Sequence, residues 1–183
     1  ALPRFTADNS QIYFPYKNKL EILTSGLNSK KKSNDNMMIY CENDKFSLMK
    51  NNVKSITDKI NEKEKRIIRA EISNDSKNIL LKSIGGGIRI YHIDEDTYTN
   101  IGPGQAPKWG YEDKYIVYCK VEDDGHDFTS SEIWIYDLEK DINFQLTKTN
   151  DMMELDPDWS ADGRYIVFND YITNQIYIID LFK

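Results

Sequence analysis

The sequence predicts an all-β fold built from small antiparallel sheets. Three observations carry this expectation. A turn-and-strand unit recurs along the chain, each copy is followed by apolar runs of strand length, and only one segment has helical spacing.

The unit is clearest in "PDWSADGRYIVF", residues 157–168, and returns as "PKWGYEDKYIVY", residues 107–118, with Pro, Trp, an acid, Tyr and Ile-Val-aromatic in register. "AEISNDSKNILL" (70–81) keeps Ser, Asp and an apolar triplet, and "PRFTADNSQIYF" (3–14) keeps Pro, an aromatic, Thr, Asp and Ile-x-Phe. "SNDNMMIY" (33–40) is a fifth, poorer copy. Self-similarity at a period of about forty residues marks a repeat architecture.

Each part of the unit has a mechanical reason. Pro suits a strand start, where no ladder donor is needed. Trp109 and Trp159 are large apolar anchors, each able to bury about 150–250 Å². In Ser-x-Asp-Gly the carboxylate of Asp162 can accept backbone N–H groups two residues on, and Gly163 tolerates positive φ. "RYIVF" then reads as a strand covered on both faces. Second strands follow in "KFSLMK", "IRIYHID", "EIWIYDL" and "QIYIIDL", and short outer strands in "VKSIT", "TYTNIG" and "NFQLT". Gly85, Gly86 and Gly87 make a permissive hairpin turn; a phosphate loop would need a helix after it, and a strand follows.

The helically spaced segment, "TDKINEKEKRII", is too polar to cover these strands broadly. Neighbouring sheets must therefore cover one another, stacked around an axis as in a β-propeller. The acids Asp8, Asp35, Asp75, Glu112 and Asp162 mark five short blades within one domain, 1–183. In an alternative register, "LEILT" (20–24) imitates an outer strand and an N-terminal segment completes the last sheet, giving four blades plus a decorated closure.

Composition narrows the function classes. With 183 residues and 39% hydrophobic content, the chain can bury a core without disulfides or metal. A 12% aromatic share with twelve tyrosines favours strands. The net charge of −6 argues against nucleic acid, whose binding rests on Lys and Arg neutralising phosphates. No apolar run approaches the roughly 20 residues that span a bilayer. The N-terminus has no secretory pattern. Cys41 and Cys119 end equivalent strands in different copies, which separates them beyond the roughly 7 Å that a disulfide spans. Both are expected as free thiols. Abundant Lys, Asn and Ile suggest an AT-rich bacterial source.

Taken together, "DPDWSADGRYIVF…QIYIIDL" and "APKWGYEDKYIVY…EIWIYDLEKDINFQLT" resemble the TolB-type (WD40-like) propeller repeat: Pro-x-Trp-Ser-x-Asp-Gly, a strand, a hairpin, Ile-Tyr-x-x-Asp and a closing Leu-Thr. The resemblance is strong over residues 107–181, moderate at 3–14 and 70–93, and poor at 25–57. It implies a fold, and it tilts the compartment towards the extracytoplasmic side. Propellers of that type are often longer, with six or seven blades, so an open fragment of a larger propeller is a further alternative to five short blades.

Candidate chemistry is sparse. No Gly-x-Ser-x-Gly elbow is present. His92 reads as a half-exposed strand residue. His126 lies in the loop "VEDDGHDFTSSE" with Ser130, Ser131 and Asp127, a set without rigid support. Asp123, Asp124 and Asp127, with His126 and Glu132, form an acidic loop whose hard oxygens suit calcium but whose spacing is not that of an EF-hand. Asp156 and Asp158 are the second metal candidates, pointing towards the axis around a structural cation. Asn74-Asp75-Ser76 matches a glycosylation triplet but coincides with the repeat turn. A glycoside hydrolase would need two carboxylates about 5–9.5 Å apart, and no pair stands out. The leading expectation is a scaffold that binds a protein or peptide through its loops, with no catalytic residue assigned and no cofactor. The hairpin 120–132 is the foremost loop, and Tyr111, Phe128 and Tyr171 are the candidate exposed aromatics of the loop face. The rival expectation is a glycan-binding or glycoside-hydrolase-like propeller, and a third is a sensory or accessory domain of a larger protein.

Overall fold

The computed structural model describes six strands between residues 4 and 55 and all of residues 66–182; side chains are described at 37–39, 46–48 and 66–182. The strands form five antiparallel sheets in chain order. The first comprises β1 (Arg4–Phe5), β2 (Gln11–Tyr16) and β3 (Lys19–Thr24), and the second β4 (Met37–Glu42), β5 (Lys45–Lys50) and β6 (Val53–Ser55). The third has β7 (Ile67–Ile72), β8 (Asn78–Ser83), β9 (Gly87–His92) and β10 (Thr97–Gly102). The fourth has β11 (Gln105–Trp109), β12 (Tyr115–Asp123), β13 (Phe128–Asp137) and β14 (Ile142–Gln145), and the fifth β15 (Glu154–Trp159), β16 (Tyr165–Asp170) and β17 (Ile176–Asp180). The stretch "LEILT" pairs with β2 inside the first sheet, not with β17. Most of "TDKINEKEKRII" lies outside the described residues; its last two residues open β7.

Alternation along the central strands explains why their apolar runs are continuous. Ile79 and Leu81 of β8 pack against Met37, Ile39, Phe46 and Leu48 of the second sheet. Leu80, between them, points the other way and joins Trp109, Ile116 and Tyr118 of the fourth. Val117 and Cys119 then turn to Ile166 and Phe168 of the fifth. Each fully buried side chain of this size contributes roughly 1.5–3 kcal/mol by leaving water, and among the described residues β8 and β12 carry unbroken runs of five and four buried residues, 79–83 and 116–119. Cys119 is free and buried, with its thiol pushed up to about 11 by desolvation; the Cys41 side chain lies outside the described ones.

The repeat turn forms as its residues require. Ser160 donates to Asp162 at 2.6 Å, Asp162 accepts the Arg164 N–H at 3.1 Å, and the Ser160 Oγ accepts the Tyr165 N–H at 2.8 Å. Ser73, Asp75, Lys77 and Asn78 repeat the pattern at 2.6, 3.0 and 3.0 Å. In the copy between β11 and β12, Gly110 replaces the serine and the chain makes a short 3-10 turn, Tyr111–Asp113. Asp113 instead reaches the neighbouring turn, accepting from the Asp75 N–H and Asn74 Nδ2 at 2.9 Å each.

Two features differ from the sequence expectation. Pro107 and Pro157 do not begin strands; each lies inside a first strand, at a register shift against the next strand. Ala106 and Asp156, just before them, sit at φ 46° and 50°. A residue without a ladder donor is tolerated at a bulge. The second difference is Trp159. Trp109 is 8% exposed and its Nε1 reaches the Glu71 carbonyl of the preceding sheet, whereas Trp159 is half-buried. Its Nε1 turns back to the Gly163 carbonyl of its own turn, and its ring stacks on Tyr115 at 5.5 Å.

Candidate functional site

β12 and β13 are nine and ten residues long, against six or fewer in the other strands, so their hairpin projects beyond the sheet. Its tip is shaped by its own acids. Asp124 Oδ1 accepts the N–H groups of His126 and Asp127 at 2.9 Å each, and Asp123 Oδ1 accepts that of Gly125 at 3.0 Å. The Asp127 and His126 N–H groups hold the Asp124 carboxyl below the usual carboxylate range. Gly125, at φ 93°, supplies the left-handed residue of the turn.

Phe128 opens β13 just after this tip and is 45% exposed. Its ring meets Tyr171 edge to face, with centroids 6.2 Å apart at 74°. Tyr171, 56% exposed, belongs to the turn between β16 and β17, so the contact crosses from the fourth sheet to the fifth. Asp170, fully buried, fixes that turn. Its Oδ1 accepts the N–H groups of Met153 and Ile172, and its Oδ2 accepts the N–H and hydroxyl of Thr173. The Thr173 hydroxyl and the Met153 N–H lower its carboxyl below the usual range. Ile172, also 56% exposed, extends the apolar ledge.

Behind the ledge, buried Glu154 joins the same two sheets. Its carboxylate accepts the Ile133 N–H at 3.2 Å and the hydroxyls of Thr147 and Thr149, while its carbonyl accepts the Ser131 hydroxyl at 2.5 Å. Burial pushes this carboxyl above its ordinary value. Across the hairpin, between the third and fourth sheets, lies a pocket of about 630 Å³ lined by Lys82, Lys120, Glu122, Asn100, Gln105 and the loop glycines.

The sequence-nominated residues therefore separate. Asp123, Asp124, His126, Asp127 and Phe128 share one hairpin, and Tyr171 joins them through Phe128. Tyr111 does not: it precedes β12, whereas the hairpin tip follows it, and nine residues of strand put about 30 Å between them. Tyr111 lies over Gly163 in the turn of the fifth sheet, still 39% exposed. Ser131 is committed to Glu154 and Ser130 to Glu122, at 3.1 Å; neither bonds His126. Glu132 accepts the Thr149 N–H at 2.9 Å. His92 is a half-buried strand residue between Asn78 and Thr99. Asp156 and Asp158 lie exposed on the first strand of the fifth sheet, while the first strands of the third and fourth sheets offer Glu71 and Lys108, paired at 3.6 Å. Among the described residues, no three His, Cys, Asp or Glu side chains converge as a metal site.

Sequence reasoning missed Asp170, Glu154, Lys82 and Lys120. Asp170 and Glu154 belong to no motif that sets them apart from the chain's other acids. Lys82 and Lys120 occupy different positions of the repeat, so alignment of its copies does not bring them together.

No protein-family model and no curated protein matches the chain. Solved structures do. The tricorn protease aligns over 98% of this chain and 21% of its own, with a TM-score of 0.65 and 12% identity. A protein assigned as TolB from Agrobacterium tumefaciens aligns over 98% and 76%, at 0.61 and 13%. The C-terminal WD40 domain of Sif2 aligns over 97% and 56%, at 0.57 and 12%. This chain thus spans about a fifth of the tricorn protease. At these identities the likeness is one of fold, and the fold is a TolB-like, WD40-like β-propeller.

Proposed function

We propose that this β-propeller is a scaffold whose Phe128–Tyr171 ledge docks a protein or peptide segment carrying Lys or Arg beside an apolar side chain. The observation that carries this reading is the ledge itself: two exposed aromatic rings from different sheets, in contact with each other, beside a hairpin tip bearing Asp123, Asp124 and Asp127. Pre-positioned aromatics supply anchoring area at small entropic cost, and an acidic rim attracts cationic partners. The buried Asp170 and Glu154 networks hold the two sheets in fixed relation beneath the ledge.

Selection of displayed random peptides on the wild-type chain, followed by titration on variants, tests the proposal. Selected peptides should place Lys or Arg next to Leu, Phe or Trp. Phe128→Ala or Tyr171→Ala should weaken their binding at least about tenfold, near 1.4 kcal/mol, and salt should weaken it further. Peptides that bind the Phe128→Ala/Tyr171→Ala variant as well as the wild type would refute the reading.

A further inference from the structure

The pocket between the third and fourth sheets has a composition that structure alone does not require. Lys82 ends the buried face of β8, on the same side as Leu80, and is 8% exposed. Among the described residues it has no hydrogen-bond or ion-pair partner, and desolvation lowers its ammonium pKa. Lys120 approaches from β12, on the same side as Tyr118, its Nζ 3.4 Å from the centre of the Trp134 ring. Two cations thus face one cavity from opposite sheets. The Lys82 stem is buried while its ammonium opens into the cavity, and a partly desolvated cation with no protein partner is stabilised by an anion.

The rim is built for close backbone approach. Gly87 sits at φ 78°, and a Cβ there would lie 2.5 Å from the Gly102 carbonyl oxygen. A Cβ on Gly104 would fall 2.5 Å from the Tyr118 ring and 2.6 Å from Ile88. Side chains in these places would close the floor that Lys82 looks across. The same cavity holds one carboxylate, Glu122, which already accepts the Ser130 hydroxyl, and the amides of Asn100 and Gln105. Two cations against one fixed anion leave room for a single added negative charge, and the amides can bond a neutral body attached to it.

We infer that this pocket binds a carboxylate-bearing ligand, with Lys82 as its anchor. The site lies on the opposite side of the hairpin from the Phe128–Tyr171 ledge and stands independently of that reading. The carboxylate can belong to a peptide C-terminus or to a free small acid.

Backbone amide NMR titrations with acetate, triglycine, triglycine amide and inorganic phosphate test this. Acetate and triglycine should shift the Gly86, Gly87 and Gly104 signals saturably, and triglycine amide should not. Triglycine binding at least tenfold tighter than acetate identifies a peptide terminus; equal affinities identify a free acid. Lys82→Met should abolish the shifts while preserving the remaining spectrum, because it removes the unpaired charge at the cavity and keeps a buried apolar stem. Absence of saturable shifts with both carboxylates, unchanged shifts in Lys82→Met, or response to phosphate alone would overturn the assignment.

Discussion

The indole Nε1 of Trp109 donates to the Glu71 carbonyl oxygen at 3.1 Å, tying the first strand of the fourth sheet to the first strand of the third. The repeat's tryptophan is therefore a joint between sheets as well as an apolar anchor. Trp109→Ala should cost about 3–5 kcal/mol, as for other large buried aromatics. Trp109→Phe should lose less than the alanine variant, yet still about 1–3 kcal/mol for the carbonyl left unpaired. Urea midpoints of the two variants measure the difference.

Trp159 should matter less. Its ring is half-buried and its Nε1 serves its own turn. Trp159→Ala is expected to cost about half as much as Trp109→Ala, roughly 1.5–2.5 kcal/mol. A double-mutant cycle with Tyr115→Ala should show coupling of about 0.5–1.5 kcal/mol, the range for stacked rings. Additive losses would mean that the stack does not join the sheets.

Gly163 is held by packing as well as by conformation. It sits at φ 78°, and a Cβ would lie 2.6 Å from the Tyr111 ring. The equivalent Ser76 adopts φ 62° with a side chain, so conformation alone does not demand glycine there. Gly163→Ala should destabilise by more than about 1 kcal/mol, and Tyr111→Ala in the same chain should recover part of the loss. If the loss is unchanged, the ring is not the obstacle.

The two buried acids set opposite pH dependences. Glu154 is raised in the folded chain, by desolvation first, so its folded form keeps the proton to higher pH than the unfolded form. The stability this provides is present below the ordinary carboxylate range and is lost as pH rises through the raised value. Glu154→Gln should flatten that decline in thermal melts between acidic and neutral pH. Asp170 is lowered, by the Thr173 hydroxyl first. Its contribution is present above the ordinary range and lost as pH falls through the lowered value, so Asp170→Asn should remove part of the acid limb. Melts with unaltered slopes in both variants would contradict these assignments.

What was legible in the sequence was local. "KFSLMK" and "TYTNIG" became β5 and β10 residue for residue, because turn residues bound each run and the runs suit pleated pairing. The Ser-x-Asp turn was readable because its hydrogen bonds span only a few residues. The rest depends on neighbours that no motif encodes. Trp109 and Trp159 share a motif but differ in burial, since each is covered by whatever the adjacent sheet presents. Phe128 and Tyr171 meet although 43 positions separate them in the chain, and Tyr111 lies at the far end of the same strand system. Lys82 and Lys120 come together only through the stacking of their sheets. First strands with a mid-strand proline hide their bulge, because the positive φ at Ala106 and Asp156 leaves no residue-type signature.

The central claim is that successive sheets cover both faces of β8 and β12 and so hold the ledge and pocket rigid. Native-state amide hydrogen exchange tests it most directly. Residues 79–81 and 116–119 should exchange only through global unfolding, while residues 124–127 at the hairpin tip exchange orders of magnitude faster. Exchange at 116–119 as fast as at 124–127 would contradict the account.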